Sequence, residues 1–364
     1  MSSTKAQIEA LVAQYFDPLI YQPGGQPGPN LSPGGVCGIY YGGTNYYFNR
    51  GYINANGDAP NQDTVFGIGS VTKVFTTSIL GQQGAPLLND SVNAYLPPDY
   101  ALTPGFQPVK FGELATFTAG LPRVPPQGEQ TSQTQFVQDI NSFSPPKGLP
   151  SPNVYSNMSI GFLGQIVLAM DGFSGWDGAA TQAWYQAKLF DALSMNHTGF
   201  PAITDANHQE SEPYYYKSGA KNPYQIGQYE GWCPWGTAGR VYSTARDMIR
   251  FIKANVGESV VNKQPVPQTI LDGMATAQTP WPASQTGNVR QALAWVTINA
   301  NGPYPYSHKN GGLNGVSAEL TVCPSLKLGV VFLRNLHQFP APDAAVKGLT
   351  EGLIAMATGG VGQR

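Results

Sequence analysis

Apolar positions outline this chain before any motif does. Near its start, Ile8, Leu11, Val12, Tyr15 and Phe16 recur at helical spacing, interrupted by Glu9 and Gln14, and predict an amphipathic helix. The next stretch, YQPGGQPGPNLSPGG, is dense in chain breakers and reads as a loop. Then VCGIYYGGTNYYFNRGYI supplies two β-rich runs joined at Gly42-Gly43-Thr44-Asn45, the pattern of a hairpin. From Ser70 the period turns helical again, with Val71, Val74, Phe75 and Ile79 on one face. TQFVQDINSF, SIGFLGQIVLAM and AATQAWYQAKLFDAL predict further helices between polar loops. In YSTARDMIRFIKANV, Ser243 is the expected cap, and Met248, Ile249, Phe251 and Ile252 form the apolar face. QALAWVTIN, VSAELTVCP and LGVVFLRN then read as strands, and APDAAVKGLTEGLIAMA as a closing helix.

Strands at both ends around a helical middle predict an α/β (α+β) fold. One antiparallel sheet assembled from the two termini would be flanked by helices, with a helical lobe inserted. The expected division is a single unit of 1–364, in which 1–66 and 240–364 build the α/β lobe and 67–239 the mainly helical lobe. With 364 residues and 41% hydrophobic positions, the chain has material for such a core.

Charge removes several function classes. Only 12% of residues are charged and the formal net charge is −2, so no basic field exists to hold nucleic acid. No apolar run reaches membrane-spanning length. The first segment lacks the continuous apolar region and cleavage site of a secretory signal, which places the chain as written in the cytoplasm; a trimmed leader would make it periplasmic or secreted. Cys37, Cys233 and Cys323 are too few and too scattered for a disulfide framework, and buried thiols are expected at Cys37 and Cys323. His197, His208, His308 and His337 form no ligand spacing, so neither a metal nor any other cofactor is expected.

The chemistry begins at FGIGSVTKVFTTSILGQ. Ser70 and Lys73, three apart at the start of a helical segment, share a face, and a helix start favours developing negative charge. Ser-x-x-Lys also occurs at Ser144/Lys147 and Ser218/Lys221, in proline-rich and polar surroundings, so context selects Ser70. A serine hydroxyl needs a group to take its proton, and the chain has no Gly-x-Ser-x-Gly elbow. A lysine beside the serine is the other solution, followed in penicillin-recognising enzymes by a hydroxyl/amide motif and a Lys-Thr-Gly. In that order the chain offers Tyr155-Ser156-Asn157 just before an apolar helix, then Lys309-Asn310-Gly311-Gly312 beside a strand.

Through YYFNRGY, FGIGSVTKVFT, LATFTAGLP, YSNMSIGFLG, MNHTGF, YSTARDMIRF and SHKNGG, the chain resembles class C β-lactamases and their relatives. Those relatives are the family VIII carboxylesterases, low-molecular-weight penicillin-binding proteins and D-amino-acid peptidases. The resemblance runs through nearly the whole chain. It implies a sheet flanked by helices plus a helical lobe, with the active site between them. It further implies Ser70 as acylated nucleophile, Lys73 as proton acceptor or electrostatic partner, and Tyr155 as general base and acid. Lys73 and Lys309 are expected to favour the Tyr155 phenolate. Asn157 would bond Lys73 and substrate, and Ser70 and Gly312 N–H groups would form the oxyanion hole, with Gly311 allowing close approach.

Two departures bear on substrate. Lys-Thr-Gly is here Lys-Asn-Gly, so Asn310 puts an amide where the family has a hydroxyl near the substrate carboxylate. The family's TAGGLP-Gln becomes TAGLPRVPPQGEQ, with Arg123 or Val124 nearest the glutamine's place. The expected activity is carboxylic ester hydrolysis with weak β-lactam hydrolysis, on a small-molecule substrate. A class C β-lactamase or D-Ala-D-Ala carboxypeptidase is the alternative, and an inactive binding protein the remote one. His308 is expected to pack beside Lys309, and Trp235 and Tyr224 are candidate walls of an acyl pocket.

Overall fold

The computed structural model describes residues 3–20, 33–54, 56–102, 109–126, 128, 132–144, 148–174, 178–200, 214–216, 223–225, 234–282, 285–313, 315–336 and 342–360. The amphipathic start forms α1 (Thr4–Tyr15), capped by Ser3, whose hydroxyl accepts from the Ala6 N–H; the short α2 (Asp17–Ile20) follows. The hairpin forms as its sequence predicts: β1 (Gly34–Tyr41) pairs with β2 (Thr44–Gly51) so that Tyr41 faces Thr44. Gly42 and Gly43, at φ 56° and 77°, supply the two positive angles that a two-residue turn of this hand requires.

The middle of the chain starts with β3 (Val65–Gly67) and α3 (Thr72–Gln82). It continues through α4 (Phe111–Ala115), α5 (Gln133–Ser142), α6 (Asn157–Met170) and α7 (Gly178–Tyr185). Short strands β4 (Tyr214–Tyr216) and β5 (Pro223–Gln225) pair with each other, and β6 (Tyr242–Thr244) pairs with β3. Next come α8 (Ala245–Asn255), the small hairpin β7 (Val260–Val261) and β8 (Gln264–Pro265), and α9 (Gln268–Gln278). The chain then lays down β9 (Arg290–Gln291), β10 (Val296–Ile298), β11 (Tyr306–Leu313), β12 (Val316–Cys323) and β13 (Leu328–Arg334) before α10 (Asp343–Ala357).

Seven strands form one antiparallel sheet in the order β2-β1-β13-β12-β11-β10-β9. The first hairpin thus closes against the last strand, joining the two ends of the chain as expected. Alternation along each strand divides the side chains between two cores. On one face α1 and α10 pack down, with Phe16 and Phe332 ring centroids 4.9 Å apart. On the other lies the larger core, where Phe75 of α3 meets Tyr185, Phe190 and Phe251 edge-on. Truncating Phe75 to alanine is expected to cost about 3–5 kcal/mol, the usual loss for a buried phenylalanine.

Two local readings are corrected, and one helix goes unread. The cap of α8 is Thr244, whose Oγ1 accepts from the Asp247 N–H at 3.2 Å, whereas Ser243 lies in β6 and faces Thr198. QALAWVTIN is not one strand: its Leu293 and Ala294 N–H groups leave the sheet to bond Ala277 O of α9 and Ala115 O of α4. Those helix-end carbonyls have no intrahelical partner, so the diversion satisfies them. Helix α9 is not among the elements read from the sequence, although Ile270, Met274 and Ala277 recur there at helical spacing. It crosses α3 at glycine-to-glycine distance: a Cβ on Gly81 would lie 2.2 Å from Gly273 O.

Candidate active site

Strand β3 delivers the chain through Ile68 into a single 3-10 turn, Gly69–Val71, ahead of α3. Ser70 therefore sits half-buried in that turn rather than in the first α-helical turn, and Lys73 follows at the helix start, fully buried. The turn lies against β11. A Cβ on Gly311 would fall 2.1 Å from Ile68 O and 3.0 Å from Ser70 N, and one on Gly69 (φ 49°) 2.6 Å from Gly312 N. Only glycine permits that approach, which places the Ser70 amide beside the Gly311–Gly312 backbone. Tyr155 arrives from the other side, two residues before α6, whose N-cap Ser156 accepts from the Ser159 N–H at 2.9 Å. Its ring packs on Phe117, centroids 4.9 Å apart.

These elements bring the sequence-predicted residues together. The Ser70 Oγ lies 2.5 Å from the Tyr155 hydroxyl, which donates to it, and 2.9 Å from Lys73 Nζ. Lys73 Nζ also donates to Asn157 Oδ1 at 2.7 Å and to Ala238 O at 2.5 Å. The Nζ atoms of Lys73 and Lys309 stand 4.9 and 5.1 Å from the Tyr155 ring centroid, and Arg123 Cζ 5.6 Å from it. Lys309 donates to Asn310 Oδ1 at 3.2 Å, and Asn310 is exposed.

Burial governs the protonation states. Lys73 is held well below the ordinary lysine range, first by desolvation and then by the positive charges of Lys309 and Arg123. A neutral Lys73 has two N–H donors and one lone pair. Should Lys73 give up its proton, Asn157 Oδ1 and Ala238 O would take the two remaining donors and the lone pair would face Ser70 Oγ. Tyr155 departs from expectation. Its pKa is pushed up to about 12 by burial, against the lowering effects of the Ser70 hydrogen bond and Arg123. The resting side chain is thus a phenol and not the phenolate that neighbouring lysines were expected to favour. Desolvation of the anion outweighs the nearby cations.

Lys309 is pulled down to about 8 by desolvation, while the carboxylates of Glu319 and Asp343 partly restore its charge. On the opposite face of β11, His308 Nε2 lies 2.7 Å from Glu319 Oε2 and 3.4 Å from Asp343 Oδ1. Ligand atoms of these three residues lie within 4.8 Å of one another, close enough for a metal ion. Hydrogen bonding and ion pairing already account for them, since Lys347 also holds Asp343 at 2.7 Å.

Two contributors escaped sequence reading. Ala238 acts through its carbonyl, aimed by a 3-10 turn (Gly236–Ala238) that Thr76 anchors by donating to Thr237 O at 2.8 Å. A backbone acceptor leaves no residue-type signal. Glu319 did leave one, as the single acid in the apolar run VSAELTVCP. Trp235 is buried against Gly161, within the core. Cys37 and Cys323 are buried, with thiols pushed up by desolvation. Cys233 and the Tyr224 side chain lie outside the described residues.

The Beta-lactamase family model matches residues 27–350 of this chain. The chain belongs to the beta-lactamase family. It is therefore a serine hydrolase by family, built on the fold its strands and helices predicted. It is 27% identical to a "Beta-lactamase" of Escherichia coli, over 93% of this chain and 92% of that protein. A "Beta-lactamase" of Yersinia enterocolitica is also 27% identical, over 93% and 89%. Among solved structures, "A class C beta-lactamase" superposes with TM-score 0.79 at 19% identity, covering 96% of this chain and 97% of the other. A class C beta lactamase from Rhodobacter sphaeroides gives TM-score 0.72 at 23% identity, covering 97% and 99%. No helix among the described residues is long and apolar enough to cross a membrane.

Proposed function

We propose that this beta-lactamase-family protein hydrolyses carboxylic esters of small, uncharged molecules through an acyl-enzyme on Ser70, with weak activity on β-lactams. The observation that carries the reading is the Ser70 Oγ held between Lys73 Nζ and the Tyr155 hydroxyl, at 2.9 and 2.5 Å. In the forward step, Lys73 takes the Ser70 proton as Oγ attacks the substrate carbonyl carbon. The N–H groups of Ser70 and Gly312 receive the developing oxyanion. Tyr155, a phenol at neutral pH, supplies the proton to the departing alkoxide and is reprotonated from Lys73. Water then attacks the acyl-enzyme, and the same groups return the proton to Ser70.

Substrate class rests on the Lys309–Asn310 strand. An anionic substrate needs uncompensated positive charge there, and a hydroxyl-sized neighbour to seat its carboxylate. Here Glu319 and Asp343 already oppose the Lys309 charge, and Asn310 fills the neighbouring position with an amide. Both features favour a neutral ester. β-Lactam hydrolysis is the second reading, favoured by the names of the relatives at 27% identity. Parallel turnover of p-nitrophenyl butyrate and nitrocefin tests the choice. The expected result is a larger kcat/KM for the ester, and a larger value for nitrocefin overturns it.

A further inference from the structure

Besides Ser70, Lys73 Nζ reaches two acceptors: Asn157 Oδ1 at 2.7 Å and Ala238 O at 2.5 Å. Asn157 opens α6, whereas Ala238 closes the single 3-10 turn Gly236–Ala238. Inside that turn the Ala238 N–H donates to Trp235 O at 2.9 Å and the Gly239 N–H to Gly236 O at 3.0 Å. The second bond orients the peptide whose carbonyl faces Lys73. Contacts on either side hold the segment: Gln165 Nε2 donates to Pro234 O at 2.9 Å, and the Val241 N–H to Thr72 Oγ1 at 3.2 Å. A lone 3-10 turn has few bonds of its own, so the aim of Ala238 O depends on how the turn is attached.

Thr237 makes that attachment from inside the turn. Its carbonyl accepts from Thr76 Oγ1 of α3 at 2.8 Å, and its own Oγ1 donates to Ile160 O of α6 at 3.3 Å. Gly164 of α6 permits the approach, since a Cβ there would lie 2.3 Å from Thr237 Oγ1. Behind Thr76, the Tyr185 hydroxyl of α7 lies 2.6 Å from Thr76 Oγ1 and 3.4 Å from Thr237 O. The 2.8 Å bond commits the Thr76 proton to Thr237 O, so Tyr185 donates to Thr76. A relay results, from Tyr185 to Thr76 to Thr237. All three residues are fully buried, so water cannot take over these bonds.

The two anchors stand one helical turn from the residues that matter to the nucleophile. Thr76 follows Lys73 by three positions on α3, and Ile160 follows Asn157 by three on α6. Residues three apart share a helix face. Thr237 thus ties Ala238 both to the helix that carries Lys73 and to the helix that carries its side-chain acceptor. We propose that Thr76, Thr237 and Tyr185 are positioning residues for hydrolysis: they aim Ala238 O at Lys73 and so turn the lysine's lone pair toward Ser70. The inference rests on the reading of Lys73 as the base. The direction of that base, and not only its protonation, is then built into the fold.

Turnover of p-nitrophenyl butyrate by the full chain, with fluorophosphonate labelling of Ser70 as a second rate, tests the relay. Thr76→Val removes its middle member at nearly constant shape, but leaves the Tyr185 hydroxyl within 3.4 Å of Thr237 O. It should lower kcat by about tenfold with KM within about twofold, and Thr76→Ser should restore the rate. Adding Tyr185→Phe removes the remaining donor and should lower kcat by about a further tenfold. A carbonyl that swings away withdraws an acceptor from the ammonium, so the acid limb of kcat/KM should move to lower pH. The charges acting on Lys73, from Lys309 of β11 and Arg123 ahead of α6, and the Tyr155 phenol beside it are unchanged in these variants. Lys73→Met removes the hydrogen bond to Ala238 O altogether. In that background Thr76→Val should add no further loss, because its effect passes through the lysine.

Thr237→Val cuts the turn loose from α6 instead. It should show the same fall in kcat with KM kept, and it covers the case in which Thr76→Val does not fold. Wild-type kcat in either variant would overturn the positioning role. So would a loss carried by KM, or an equal further loss from Thr76→Val in the Lys73→Met background, which marks a purely structural effect. The premise fails separately: Lys73→Met with ester turnover like wild type would remove Lys73 as the base. A large loss in Lys73→Met beside wild-type kinetics in Thr76→Val/Tyr185→Phe would refute the positioning alone.

Discussion

Two buried lysines approach the same tyrosine ring, at 4.9 and 5.1 Å from its centroid, and their surroundings differ in kind. Lys73, on the helical side, is surrounded by neutral oxygens: Ser70 Oγ, Asn157 Oδ1 and Ala238 O. Lys309, on the sheet side, has the carboxylates of Glu319 and Asp343 within electrostatic reach. Burial lowers both, but only Lys309 is supported against it by negative charge, so it keeps its proton to about 8 whereas Lys73 is pushed well below its ordinary value. Burial with neutral acceptors makes a base; burial beside carboxylates preserves a cation. Two side chains of one chemical type thereby come to suit different work.

The largest expected effect tests whether this comparison concerns catalysis at all. Ser70→Ala should remove ester turnover by at least about 10⁴-fold, and intact-protein mass spectrometry with a fluorophosphonate should show one adduct on wild type and none on the variant. Turnover in that variant, or an adduct on another serine, removes the premise of a shared site.

The comparison itself is broken or kept by arginine, which holds its charge at any working pH. Lys73→Arg cannot supply a neutral amine and should lose about 10²–10⁴ in kcat/KM, the usual worth of a general base. Lys309→Arg keeps the cation and should stay within about tenfold of wild type. Circular dichroism melting separates either result from misfolding. Equal losses at the two positions would mean that the lysines share one role.

Tyr155→Phe sharpens the account of the proton path between them. The Tyr155 phenol is expected to deliver a proton, so its loss should cost about 10²–10⁴ in rate with little change in melting temperature. Kinetics like wild type would return the whole proton path to Lys73.

The pH profile separates the lysines by sign. If neutral Lys73 is required, kcat/KM falls as pH drops through its depressed pKa. If charged Lys309 is required, kcat/KM falls as pH rises through about 8. Lys309→Arg should move the alkaline limb upward and leave the acid limb in place, because arginine does not titrate there. An alkaline limb that stays near 8 in that variant assigns it to another group.

Asn310→Thr gives the smallest of these effects, and it bears on the sheet side alone. Restoring a hydroxyl beside Lys309 should raise the nitrocefin to p-nitrophenyl butyrate ratio of kcat/KM by about tenfold, or roughly 1.4 kcal/mol of differential transition-state binding. A flat or falling ratio would move the discrimination to Arg123, whose guanidinium stands over the Tyr155 ring.

The sequence by itself determined the periodic elements and the order of the chemical groups. Helical spacing identified α1, α5, α6 and α10, and alternation between turn residues identified the first hairpin and the last two strands, because such signals lie within a few residues of each other. Ser70, Lys73, Tyr155, Asn157 and Lys309 were likewise legible as residue types in order. Tertiary structure decided what depends on contacts between distant segments. It broke QALAWVTIN where helix-end carbonyls needed donors, and it gave α9 a partner through Gly81 and Gly273. It also set the charge states: Lys73 and Lys309 are the same letter, but their proton affinities follow from desolvation and from which acceptors or carboxylates the fold brings near. Electrostatic energies in a buried site depend on distance and dielectric, and a linear chain specifies neither until it is folded.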